Sequence, residues 1–84
     1  YLTIPRWKII GYSRYISNDI LEFSEDDICV SESKNATNYM EFEYMMVVRY
    51  IFNRKRYADV IAFFGDNVSY EYYLNEMKAI MCRK

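Results

Sequence analysis

The chain has 84 residues, enough for one small domain (1–84) with a modest core, and its 52% hydrophobic and 27% charged residues are the balance of a folded globular chain. It has no His, which excludes Ser-His-Asp and Cys-His catalysis and His-ligated metal sites, and its two Gly exclude a Gly-rich phosphate loop. The net charge of −1 gives no global field toward DNA or an anionic membrane, and the longest uninterrupted apolar runs, such as Tyr44 to Val48, are far below the ~20 residues that span a bilayer.

From Leu2 to Ile16 the residues are largely β-branched and aromatic. Trp7 and Ile9 alternate with Arg6, Lys8 and Ile10, and Pro5 lies early, which predicts a strand with Gly11 at a turn or bulge. Ser17-Asn18-Asp19 reads as a loop. Ile20–Phe23 and Ile28–Val30 then flank Ser24-Glu25-Asp26-Asp27, the pattern of a hairpin. A capping box from Ser24 to Asp27 competes with it, but Ile28 and Val30 favour strand. Residues 31–38 are polar and read as a loop.

Residues 39–64 fit two patterns. As a strand, Phe42, Tyr44, Met46, Val48, Tyr50 and Phe52 form one apolar face; as a helix capped by Asn38, the stripe is Phe42, Met45, Val48 and Phe52. The Met, Glu and Arg content favours the helix, broken at 53–56 and followed by a short second helix over 57–64 that ends before Gly65. The spacing of Tyr70, Tyr73, Leu74, Met77, Ile80 and Met81 predicts a last helix over 69–83, with Ser69 or Asp66 as its cap and Glu71 in its first turn. The fold class expected is α+β: a small single domain with short N-terminal antiparallel strands followed by C-terminal helices.

Catalytic chemistry finds no constellation. Glu25, Asp26 and Asp27 are adjacent acids of the kind that solvate on a turn, without the cleft and split pKa values of paired catalytic carboxylates and without the spacing or Gly of a calcium loop. Cys29 has no His to activate it. No cofactor, metal site or catalytic residue is therefore expected, and the chain reads as a non-enzyme. Cys29 and Cys82 lie 53 residues apart with no metal spacing; they read as two thiols in a reducing, intracellular setting, with pairing as the alternative. The sequons Asn35-Ala36-Thr37 and Asn67-Val68-Ser69 fit a secreted context, although one or two such matches arise by chance.

Two features point to recognition. The charge is zoned, with +3 over residues 1–14, −7 over 15–48 and +3 over 49–84. Ten tyrosines help raise aromatics to 19%, more rings than a core of this size hides, and Tyr combines contact area with a polar tip. The expected function is a small interaction module of viral or phage inhibitor type. It would bind a protein with a basic surface through Glu25, Asp26, Asp27, Tyr12, Tyr15 and Tyr72. The alternative is a nucleic-acid-binding accessory domain, in which Arg49, Tyr50, Arg54, Lys55, Arg56 and Tyr57 stack bases beside phosphate-contacting cations. Pairing with a second copy is a further expectation, and membrane binding is not expected.

Overall fold

The computed structural model describes residues 3–17, 23–29 and 37–82. Among these described residues five helices follow one another: α1 (Arg6–Ser17), α2 (Glu25–Cys29), α3 (Thr37–Lys55), α4 (Val60–Gly65) and α5 (Tyr70–Met81). Among the described residues there is no strand, so the α+β expectation is wrong and the domain is all-helical.

α3 is the axis of the bundle. Tyr39, Phe42, Met45, Met46, Val47, Val48 and Ile51 are all buried, so the helix is covered on nearly every side rather than along one stripe. That all-round burial explains why its residues fit a strand face and a helix stripe equally well in the sequence. Asn38 lies inside the helix, not at its cap. The helix ends where Arg56 takes a left-handed backbone (φ 51°), with its N–H on the Phe52 carbonyl at 3.1 Å. Arg54 and Lys55 occupy the last turn, where the helix dipole favours cations.

The N-terminal strand is the largest correction. Pro5 starts a helix instead: its carbonyl accepts from the N–H groups of Lys8 (3.0 Å) and Ile9 (3.4 Å). The residues α1 buries are Lys8 and Gly11, whereas Ile9 and Ile16 are exposed. With a lysine and a glycine on the inner face and isoleucines outside, the helical period cannot be read from hydrophobicity. Gly11 is neither turn nor bulge but the point of closest approach to α3. A Cβ there would lie 2.6 Å from the Tyr44 carbonyl oxygen and 2.6 Å from a Val48 methyl.

The hairpin reading fails as well. Ile20, Leu21, Glu22 and Val30 lie outside the described residues, but Glu25–Cys29 is helical. The Ser24 N–H donates to Asp27 Oδ2 at 2.7 Å, and the Asp27 N–H returns to the Ser24 carbonyl at 2.9 Å. This is the return arm of a capping box, so local capping outweighed the strand preference of Ile28. Ile28 is fully buried, and Phe23 stacks on Phe42 with centroids 5.4 Å apart.

α4 is capped by Asp59, which accepts from the Ala62 N–H at 2.9 Å; Gly65 is its last residue, with Asp66 as C-cap, so the helix runs past the expected end. α5 follows the expected bounds closely, with Ser69 as its cap, accepting from the Tyr72 N–H at 3.2 Å. Its inner residue is Met77, while Ile80, expected on that stripe, is exposed.

Cys29 and Cys82 are joined in a disulfide with Cα atoms 5.6 Å apart, which ties α2 to the end of α5. The reading of two separate thiols is thereby corrected, and disulfides belong to oxidising rather than reducing compartments.

Candidate functional site

The outer face of α5 carries the most exposed aromatic of the chain's long helices. Tyr72 is 59% exposed and Ile80 54% exposed, and with Glu76 between them they stand at i, i+4 and i+8 on one face. The opposite side of α5 is held in the bundle by Met77, with Tyr70, Tyr73, Leu74 and Met81 packed against the core. The stripe is therefore anchored from behind.

Glu76 organises the middle of this face. Its Oε1 accepts from the Tyr50 hydroxyl at 2.5 Å and lies 3.7 Å from Arg54 Nε. The Tyr50 hydrogen bond, then that of Tyr72, and the Arg54 charge hold its carboxyl below the usual range, so it is an anion at neutral pH. In return, the hydrogen bond to Glu76 and its charge push the Tyr72 phenol up. Arg54 also lies over the Tyr50 ring at 5.9 Å, and the Tyr72 and Tyr73 rings meet edge-on at 5.0 Å. Beside this face, Met46, Arg49, Tyr50, Asn53, Met77 and Met81 line a groove of about 130 Å³ between α3 and α5.

Two further polar centres lie inside the bundle. Lys8 is 2% exposed, and its ammonium donates to the carbonyls of Phe63 (3.0 Å), Phe64 (3.3 Å) and Asp66 at the end of α4. Burial pushes its pKa down, against the attraction of Asp66. Its three protons meet three acceptors, so it is a helix-end clamp with no valence left for a ligand. Glu43, also buried, accepts from the hydroxyls of Tyr39 (3.1 Å) and Tyr70. Burial first, and Glu43 second, push both phenols up, so neither supplies a base. Among the described residues no group of three or more His, Cys, Asp or Glu could hold a metal ion, and no helix is long and apolar enough to cross a membrane.

Of the residues expected to bind a partner, the structure brings Tyr12 and Tyr15 together, with ring centroids 6.5 Å apart, and places Tyr72 apart from them on α5. Tyr72 stands on the exposed face. Tyr12 and Tyr15 are half-buried and pack against Phe52, with Tyr12 also against Phe64. Asp27 is half-buried and spends Oδ2 on the α2 cap. Glu25 and Asp26 start α2, and their side chains lie outside the described residues.

The basic-aromatic cluster is divided between two neighbours. Arg54 and Tyr50 turn to Glu76 on α5; Lys55 and Tyr57 turn to the Asp66 carboxylate, at 2.6 and 2.8 Å. Tyr57 also packs against Phe52 and Phe63, and burial first, then Asp66, pushes its phenol up. Arg49 lines the groove, and Arg56 is exposed. Sequence reasoning missed Glu76 and placed Ile80 inside; the 72–76–80 spacing was the available signal. Lys8 in its basic-aromatic segment and Glu43 beside Glu41 both read as surface charges in the sequence, and only the fold buries them. Comparison of the chain with protein-family models, with curated proteins and with solved structures finds no match.

Proposed function

We propose that this chain is a non-catalytic protein-binding module, of inhibitor or regulator type, whose contact face is Tyr72, Glu76 and Ile80 on α5. The observation that carries the reading is the exposure of Tyr72 and Ile80 on either side of an ionised, pre-positioned Glu76. Tyr is among the residues that dominate interface energies, and here its ring rests edge-on against that of Tyr73 at 5.0 Å, which lowers its ordering cost. Glu71, exposed in the first turn of the same helix, makes a partner with a basic surface the complementary one, Glu76 being already paired with Arg54. The absence of His from the whole sequence and the full use of Lys8 and Glu43 inside the bundle support a binding role over a catalytic one.

Affinity capture from cells that make the protein, with wild type and a Tyr72→Ala/Ile80→Ala variant side by side, tests the reading. A partner retained by the wild type, weakened about tenfold or more in the variant and released by salt, is expected. A partner held equally by both overturns this face as the site. Salt-sensitive binding of oligonucleotides that is lost on Arg54→Gln/Arg56→Gln would replace the reading with the nucleic-acid one.

A further inference from the structure

The loop between α4 and α5 carries one of the two Asn-x-Ser/Thr triplets in the chain, Asn67-Val68-Ser69. Such triplets arise by chance, so the structural setting has to decide between coincidence and use. In this loop Val68 packs against the core, and its N–H donates to the Asp66 carbonyl at 3.0 Å. The residues on either side, Asn67 and Ser69, are both exposed. The Asn67 side chain takes part in none of the contacts that hold the fold here: the Lys8 clamp, the Lys55–Asp66 pair and the Ser69 cap all use other groups. Asn67 is exposed at an open groove that it lines with Thr3, Pro5 and Gly65, so its amide is accessible from solvent.

The disulfide is the second, independent observation. Cys29–Cys82 forms in an oxidising compartment, and the eukaryotic secretory route combines that chemistry with sugar transfer to Asn-x-Ser/Thr. We infer that Asn67 is an N-glycosylation site and that the chain passes through the secretory route. This goes beyond the binding reading and does not depend on it.

In the transfer step the Asn67 amide nitrogen attacks C1 of an oligosaccharide carried on a polyprenyl diphosphate. The N–C1 bond forms as the C1–O bond to the diphosphate breaks, the amide loses one proton, and the lipid diphosphate leaves; no electron is exchanged with an outside reagent. In the folded chain Ser69 Oγ already accepts from the Tyr72 N–H, so the transferase meets the triplet before the first turn of α5 closes. The other triplet has Asn35 and Ala36 outside the described residues and contributes nothing to the argument.

The test is the full chain behind a cleavable signal sequence, carrying Asn35→Gln so that only one triplet remains. It is translated with microsomes and, in parallel, secreted from eukaryotic cells. The expected result is a single upward mobility shift that peptide-N-glycosidase removes, with the sugar mapped by peptide mass to Asn67 in a chain whose cysteines are paired. Asn67→Gln and Ser69→Ala lose the shift, and Ser69→Thr keeps it. The microsome arm reads modification without requiring folding, so a variant that folds poorly still reports. An unshifted chain in microsomes, or a bare Asn67 in the secreted, disulfide-linked chain, overturns the inference.

Discussion

α1 and α2 are both held against the rest of the bundle, but by different means. α1 has 12 residues and uses shape and hydrogen bonding: the Gly11 notch against Tyr44 and Val48, the Lys8 clamp on the end of α4, and Arg14 on Glu41. α2 has 5 residues; among its described side chains Ile28 is fully buried, and Cys29 ties it covalently to Cys82. A helix of that length is marginal in water, because few residues share the cost of nucleation. The difference teaches a size rule: three turns present enough surface to dock by packing, whereas one turn needs a staple.

The largest effect is expected from cutting the staple. Cys29→Ser/Cys82→Ser should cost about 4 kcal/mol, the chain-entropy value for a loop of this length. Hydrogen exchange should show α2 losing protection while α1 keeps its own. Equal loss in both helices would mean that the two attachments are not separate.

Next is Lys8→Met, which removes a charge-assisted donor and leaves three carbonyls without it; about 3 kcal/mol of stability should go, read by urea unfolding. A loss within 0.5 kcal/mol, in the range of an ordinary surface change, would show that solvent replaces the ammonium and that packing alone holds α1.

Gly11→Ala sharpens the shape argument. Ala gains about 1 kcal/mol in helix propensity, but its Cβ meets backbone as well as a side chain, and overpacking costs about 1–3 kcal/mol. The net expectation is a destabilisation of up to about 2 kcal/mol, visible as a lower urea midpoint. A more stable variant would show that α1 and α3 can separate cheaply.

Arg14→Gln is the smallest. The pair with Glu41 is short at 2.7 Å but partly exposed, with Arg14 at 38%, so solvent screens it and about 0.5 kcal/mol is expected. A change above about 2 kcal/mol, beyond what exposed pairs give, would make the ion pair rather than the Gly11 notch the main anchor of α1.

The same contrast explains what was legible. α5 declared itself because its apolar residues follow a helical period, its cap is a Ser and its first turn holds Glu71. The break expected over 53–56 was legible only in part: α3 runs on through Asn53, Arg54 and Lys55, whose cations suit a last turn, and ends at Arg56. α1 was not, since its inner face is Lys8 and Gly11. Of the candidate site, Tyr72 was named from the sequence. Tyr12 and Tyr15 were named with it, but ring packing on Phe52 takes them into the bundle, and a list of tyrosines cannot say which ones a neighbouring ring covers.

By itself the sequence determined what is local or compositional: the missing His and the last helix with its Ser69 cap. These follow from single residues or from contacts a few positions apart. Only the tertiary structure decided that α1 is a helix, that Lys8 is an internal clamp, that Cys29 meets Cys82, and that Glu76 sits between Tyr50, Arg54 and Tyr72. Apart from Tyr72, four positions from Glu76, the partners in these contacts lie 22 to 58 positions away in the chain. Burial against such distant partners outweighs local preferences of about 1 kcal/mol or less per residue, and no local pattern records it.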